Sequence, residues 1–360
     1  MLERYGHGGD LETAAAIFGR PADSFIDFSS NMNPWGPPES ARSAMLCAWE
    51  RIAAYPDPAA RRLRALLAER HQVPPEAVWV GNGAAEAIDL SLRSARPKAT
   101  VVAAPGFAEY ETAAKHADSR IVRMTAEPDN QFRIQAEAVI QAAAQADAIV
   151  LGHPNNPTGQ PLEPATIEAA LTHYRTVVID EAFLDFSPDE HRLTLTRQAA
   201  ERPGLFVIRS MTKFYAIPGL RLGYVIAHPD EIARIREQAI PWSANSIALE
   251  AGAAVLQDDE YAERTLRWLT EERAHFSASL QKLGLQVFPG IANFLLVRFR
   301  TSCASAVQEA LGRRGVLIRN AATFSGLEDG TYMRLAVKRR EENERLLAEI
   351  QSWLEEAAAG

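Results

Sequence analysis

From about residue 76 to 230, apolar runs alternate with alanine-rich helical stretches, and that alternation sets narrow limits on the fold. The runs are short, continuously apolar and rich in β-branched residues, and they fall at 78–80, 100–103, 148–151, 176–179, 205–208 and 224–227. A short run with no polar face suits a strand buried on both sides. A helix between two such strands returns the chain so that they run parallel. The pattern therefore predicts an α/β fold with a mostly parallel central sheet. Each run ends in a polar or Gly/Pro-rich turn, such as Gly81-Asn82-Gly83, Pro105-Gly106 or Asp180-Glu181. Ligands of open α/β sheets bind at these carboxyl ends, so a site is expected there.

Beyond about residue 240 the pattern changes. The helical stretch from Ser246 to Leu283 exceeds most globular helices and predicts a break, or a bridge between lobes. Strand-like runs at 294–299, 316–318 and 333–337 alternate with helical stretches near 303–314 and 340–358, as in a small α+β domain. The Pro/Gly/Asn-rich start of the chain reads as an arm packing beside it. The expected division is an arm over 1–45, a large domain over 46–245, and a bridging helix with a small α+β domain over 246–360.

A formal net charge of -8 argues against general binding to nucleic acid or anionic membranes. No apolar run approaches the length of a membrane span. The first ten residues lack the apolar core of a signal peptide. Cys47 and Cys303 are far apart and outside any metal-ligand spacing, so they read as reduced thiols and no metal site is expected. A cytoplasmic location is expected by elimination.

Chemistry-bearing residues gather at the strand ends. Lys213, in Ser210-Met211-Thr212-Lys213-Phe214, stands among hydroxyls and apolar residues. Desolvation there would lower its pKa, as an imine-forming lysine requires. Taken alone, a lysine is more often a surface residue. Arg221 follows in a Gly-containing turn, and a guanidinium can clamp a phosphate through paired charge-assisted bonds. Asp180 closes the run at 176–179. A carboxylate there needs a cation, which a protonated pyridine nitrogen would supply; a helix N-cap or a metal ligand would use the same residue. Gly83-Ala84-Ala85-Glu86 opens a helix whose amides can cradle phosphate, although many strand–helix turns carry glycine. Phe107 could stack on a planar ring or sit in the core. Asn155-Asn156-Pro157 is a turn by composition, from which Asn156 could bond a ring substituent.

Taken in order, Gly83-Ala84-Ala85-Glu86, Phe107, Asn155-Asn156-Pro157-Thr158-Gly159, Asp180-Glu181-Ala182-Phe183 and Ser210-Met211-Thr212-Lys213 with Arg221 resemble the aminotransferase superfamily. These are fold-type I enzymes that use pyridoxal 5′-phosphate (PLP). The resemblance spans nearly the whole chain. No single piece is specific, but the ordered set is. It implies the fold of a fold-type I PLP-dependent transferase, with a large domain built on a mostly parallel sheet and a smaller α+β domain. Within the superfamily the sequence resembles the histidinol-phosphate aminotransferase branch. More narrowly, it is similar to the threonine-phosphate decarboxylase family of cobalamin biosynthesis, on His7-Gly8-Gly9-Asp10, Asp27-Phe28-Ser29-Ser30-Asn31-Met32-Asn33-Pro34, Pro105-Gly106-Phe107-Ala108-Glu109-Tyr110 and the segment 212–224.

The resemblance implies a role for each matching residue. Lys213 holds PLP as a Schiff base, Asp180 pairs with the pyridine nitrogen, Asn156 bonds the ring oxygen and Phe107 stacks on the ring. Ser210, Thr212, Arg221 and the amides near Ala84 and Ala85 hold the cofactor phosphate. Tyr55 reaches the phosphate of a neighbouring subunit, which implies a homodimer. Arg334 matches the arginine for the substrate α-carboxylate. His7, Gly8, Asn31 and Arg319 match substrate-contacting positions, His7 and Arg319 being suited to a phosphate, and Asn156 belongs to the substrate set as well.

Without the resemblance His7 is a residue near a terminus, where order is uncommon, and each arginine reads as a surface residue paired with Glu. The run 338–344 reads as a solvated helix start. Two residues depart from the pattern. Phe183 stands where many aminotransferases have a tyrosine on the ring oxygen, and Asp10 replaces a common Asn. The implied reaction is decarboxylation of a phosphorylated amino acid, L-threonine O-3-phosphate, to (R)-1-amino-2-propanol O-2-phosphate. The alternative is a histidinol-phosphate-type aminotransferase. A non-catalytic PLP-dependent regulator is disfavoured, because such regulators usually carry an added DNA-binding domain.

Overall fold

A computed structural model describes residue 2, residues 8–301 and residues 303–359. His7 lies outside the described residues. A short strand β1 (Ile26–Asp27) precedes the large sheet. That sheet contains β2 (Val78–Gly81), β3 (Ala99–Ala104), β4 (Arg120–Thr125), β5 (Ala148–Gly152), β6 (Thr176–Asp180), β7 (Leu205–Ser210) and β8 (Gly223–Ala227), in the order β2-β8-β7-β6-β5-β3-β4. Strand β8 is antiparallel to both neighbours, and the remaining pairings are parallel.

The continuous apolar runs arise because alternate residues enter different cores. Val177 and Ile179 of β6 pack into one apolar cluster, and Val178 between them packs into another on the opposite face. Helices cover both faces, so the inner strands are apolar along most of their length, with a few buried polar residues such as Arg209 of β7. Strand β4 was not read from the sequence. It lies at the sheet edge, bonded only to β3, and exposes Arg120, Arg123 and Thr125. Its charged side chains interrupt the apolar run that marks the inner strands. No helix joins β7 to β8 either. The two strands pair directly, Ser210 opposite Gly223, and the intervening segment leaves the sheet as a loop with one 3₁₀ turn, Pro218–Leu220.

The long helical stretch is broken. Helices Ser246–Val255 and Asp259–Lys282 meet at Asp258, whose side chain accepts from the Tyr261 N–H and caps the second. The remaining strands are β9 (Gln286–Val287), β10 (Phe294–Arg298), β11 (Val316–Leu317), β12 (Arg319–Asn320) and β13 (Tyr332–Ala336). Four of them form an antiparallel sheet in the order β12-β13-β10-β9, while β11 pairs in parallel with β1. The run expected as one strand at 316–318 thus ends before residue 319, where the chain changes sheets. Among the described residues no helix is long and apolar enough to cross a membrane.

Candidate active site

A cleft of about 470 Å³ opens where β6 and β7 end, against β12 and β13. The loop between β7 and β8 forms its floor. Met211 N–H bonds the Leu222 carbonyl at 3.2 Å, so the loop closes on itself and brings Lys213 and Arg221 to one side. Lys213 Nζ donates to Thr212 Oγ1 at 3.1 Å, and the Ser210 and Thr212 hydroxyls are 2.8 Å apart. Desolvation, then the neighbouring Arg221 cation, pull the Lys213 amine down to about 8, while Asp180 opposes them. Asn33 anchors this loop from the N-terminal arm. Its N–H bonds the Lys213 carbonyl at 3.1 Å, and its amide nitrogen donates to Phe214 O and Thr265 Oγ1, both at 2.9 Å.

Asp180 is the last residue of β6, in register with Gly152 and Ile208 on either side. Its Oδ2 accepts from the Tyr110 hydroxyl at 2.7 Å and its Oδ1 from the Ala182 N–H at 3.0 Å. Burial pushes this carboxyl up, and the Tyr110 and Ala182 donors with the Lys213 cation pull it back. Replacing Tyr110 by Phe removes one of the two donors without changing the ring. The Asp180 carboxyl is expected to rise further and affinity for a cationic ring to fall about tenfold, measured as the dissociation constant of PLP. Tyr110 was not singled out from the sequence, since nothing local distinguishes a tyrosine at that position from a core residue.

The opposite end of the cleft suits an anion. Helix Ala84–Ala95 starts after Gly83, which has φ +96° and supplies no side-chain cap, so its first amides are open to a ligand. A Cβ at Gly83 would come 2.7 Å from Arg221 Nη2, in a backbone conformation that L residues rarely adopt. Gly83→Ala is therefore expected to displace Arg221 and weaken PLP binding about tenfold or more, read by equilibrium dialysis.

Across the cleft, Arg319 and Arg334 are register partners on β12 and β13. Both are buried, at 3% and 6% exposure, so neither is the surface ion-pair residue that composition alone allows. Arg334 donates to Asn156 Oδ1 at 2.8 Å and to Ser29 O at 2.6 Å, and Arg319 donates to Thr323 Oγ1 at 2.8 Å. With its oxygen engaged, the Asn156 amide has its NH₂ left to donate. Asn31 is buried at the cleft wall, and its Oδ1 lacks a hydrogen-bond partner among the described residues. Gly8 also lines the cleft, and a Cβ there would collide with the Ser29 carbonyl. Phe107 meets Tyr110 edge to face at 5.7 Å and lines the cleft with Phe183. Tyr55 is the described site residue that does not converge. It is 82% exposed, stacks on Trp242 at 4.8 Å and lies outside the cleft of its own chain.

Residues 23–350 match the family described as "Aminotransferase class I and II". The chain belongs to the class I and II aminotransferase family. Its cofactor is PLP. The threonine-phosphate decarboxylase of Salmonella typhimurium is 38% identical over 355 residues, which cover 97% of this chain and 96% of that protein. The histidinol-phosphate aminotransferase of Roseiflexus castenholzii is 35% identical over 358 residues, covering 96% and 94%. Among solved structures, the L-threonine-O-3-phosphate decarboxylase from Porphyromonas gingivalis superposes with a TM-score of 0.81 at 27% identity, covering 91% and 99%. The cleft fits the cofactor of this aminotransferase family at both ends. A deep carboxylate suits a basic ring nitrogen, and the uncapped helix start beside Arg221, Ser210 and Thr212 suits a phosphate.

Proposed function

We propose that the protein decarboxylates L-threonine O-3-phosphate to (R)-1-amino-2-propanol O-2-phosphate, for cobalamin biosynthesis. The observation that carries this reading is the pair of buried arginines, Arg319 and Arg334, facing the same cleft as Lys213. Two fixed guanidiniums suit a substrate with two anionic groups. Similarity to the Salmonella decarboxylase over almost the full chain supports the choice.

In this reading Lys213 would bond the cofactor, and Asp180 would serve its ring nitrogen, Asn156 its ring oxygen and Phe107 its ring face. Ser210, Thr212, Arg221 and the Ala84 and Ala85 amides take its phosphate. When bound, PLP supplies an electron sink for the pair left at the substrate Cα. Arg334 holds the substrate carboxylate. Arg319, with Asn31, Gly8 and His7, holds the phosphate. Two anchors fix rotation about Cα, and that rotation decides which bond is cleaved. Cleavage of the Cα–carboxyl bond would release CO2, and Lys213, freed from the cofactor by the substrate amine, would deliver a proton to Cα.

The proposed assembly is a homodimer in the cytoplasm, in which Tyr55 reaches the partner's cofactor phosphate. Trp242, stacked on Tyr55, and the exposed Leu46, Trp49 and Ile52 earlier in the chain support a covered face. The proposed division is an arm (1–45), a large cofactor-binding domain (46–245) and a bridge with a small domain (246–360).

The second reading is a histidinol-phosphate-type aminotransferase, favoured by the Roseiflexus relative. CO2 release from O-phospho-L-threonine decides between them, assayed with the PLP-loaded protein with and without 2-oxoglutarate. Release without the oxo acid is the expected result. Transfer from histidinol phosphate to 2-oxoglutarate, with no CO2 from phosphothreonine, would overturn the proposal.

The Lys213 amine must be neutral to attack an aldehyde. Its pKa is about 8, so the rate of capture of pyridoxal by the cofactor-free protein is expected to climb with pH through about 8 and level off above. The Arg221 cation is one cause of that low value. Arg221→Met should therefore move the midpoint to higher pH, which stopped-flow absorbance measures. Pyridoxal without phosphate keeps this effect separate from phosphate binding.

A further inference from the structure

Arg319 and Arg334 face each other directly across two antiparallel strands. Like charges in that arrangement repel, and two guanidiniums so placed tend to converge on one shared anion. In this protein each has polar partners of its own. Arg334 is drawn toward Asn156 and Ser29, and Arg319 toward Thr323. One aromatic ring contacts both. The Phe324 centroid is 5.3 Å from Arg319 Cζ and 5.9 Å from Arg334 Cζ. Phe294 covers Arg334 as well, at 5.5 Å. The negative π-face offsets part of the mutual repulsion, and the ring occupies space within reach of both cations.

Phe324 is itself firmly placed. It is buried and belongs to a separate apolar cluster with Phe132, Phe288, Leu296, Leu327 and Tyr332. Its N–H bonds the Ala321 carbonyl at 2.9 Å, closing the 3₁₀ turn Ala321–Thr323 that also presents Thr323 to Arg319. The ring cannot swing out without breaking that cluster.

We infer that Phe324 is a specificity-determining positioning residue: by keeping the two guanidiniums apart, it makes the cleft select short amino acids that carry a carboxylate and a second, separate anionic group. This inference rests on the phospho-amino-acid reading above. It assigns the discrimination to an uncharged residue that acts through the two arginines. A ligand with one anion engages one arginine and gains nothing from their separation.

The test uses PLP-loaded wild type, Phe324→Leu and Phe324→Tyr. KM and kcat are measured for CO2 release from O-phospho-L-threonine. Dissociation constants for O-phospho-L-threonine, L-threonine and phosphoethanolamine are read from cofactor absorbance; the last two carry one anion each. Phe324→Leu should raise KM for phosphothreonine about tenfold with kcat within about twofold. The constants for the two singly anionic compounds should stay within about twofold, so that the preference narrows. Phe324→Tyr keeps the ring and should restore wild-type behaviour. An unchanged phosphothreonine constant in Phe324→Leu overturns the inference, as does equal weakening for all three compounds. Should Phe324→Leu fold poorly, Phe324→Met gives the same comparison with an apolar side chain of a different shape. Absence of CO2 release by wild type sinks the decarboxylase reading instead, and the three dissociation constants still decide the role of Phe324.

Discussion

Lys213→Ala is expected to abolish covalent capture of PLP and to lower turnover by about 10²–10⁴-fold from the loss of proton transfer alone. The amine is brought down to about 8 by desolvation and by Arg221, so an appreciable share is neutral near physiological pH. No other lysine lines the cleft among the described residues. Borohydride reduction of the loaded wild type should fix the cofactor's mass on the peptide that contains Lys213, and the variant should show none. Alanine at 213 leaves the Asn33 bond to the backbone carbonyl intact, so the variant should unfold at the wild-type denaturant midpoint. A variant that turned over at the wild-type rate would contradict the assignment of this lysine.

Arg209→Ala is expected to destabilise the fold by about 3–5 kcal/mol, because it removes one partner of a buried ionic network. The Arg209 side chain is fully buried and meets three carboxylates: Glu181 at 2.8 Å, Asp185 at 2.7 Å and Glu190 at 2.9 Å. Glu181 is fully buried too, and also accepts from the Thr194 hydroxyl and the Leu195 N–H. Burial pushes the Glu181 carboxyl up and Arg209 holds it down, while the surrounding carboxylates raise the guanidinium well above its usual range against desolvation. Removing the cation leaves the buried Glu181 carboxylate without a cation and Asp185 with only Arg70, at 3.8 Å, in a region of low dielectric. Urea unfolding should show a lower midpoint with an unchanged slope. Arg209→Met combined with Glu181→Gln should recover part of the loss, since it removes both members of the most buried pair.

The same network bears on the chemistry. Glu181 directly follows Asp180, and the Glu181 N–H bonds the Ile208 carbonyl at 2.8 Å. The turn that aims the Asp180 carboxylate is thus clamped from behind by an ion pair that never reaches the cleft. His153 supports it from the neighbouring strand, its N–H bonding the Asp180 carbonyl at 2.7 Å. Its Nδ1 accepts from the Leu162 N–H at 2.9 Å, which leaves the proton on Nε2, facing the Leu193 carbonyl at 3.2 Å. Desolvation brings this imidazole down to about 4, so it stays neutral over the working range of the site.

The inner sheet was legible in the sequence because a strand buried on both faces is apolar along most of its length, and that leaves a local mark. The residues proposed to hold the cofactor stand out for a related reason. Lys213, Asp180, Asn156 and Arg221 sit at strand ends or in the turns that follow, where polar residues break an apolar pattern. The edge strand Arg120–Thr125 left no such mark, since one side of it meets water. The proposed substrate end is marked in the sequence only by the resemblance. Arg319 and Arg334 are fifteen positions apart and meet because the chain changes sheets after Leu317, placing them in register on β12 and β13. Tyr110 meets Asp180 across 70 positions, and Asn33 meets Phe214 across 181. Contacts of that kind depend on which strands pair and in what register, and pairing is settled by the packing of whole faces. Local patterning settles that this chain builds a mostly parallel sheet with a lysine, an aspartate and an arginine at its rim. What stands opposite them depends on tertiary pairing: two buried arginines with one phenylalanine ring against both, held by an antiparallel register that no local pattern records.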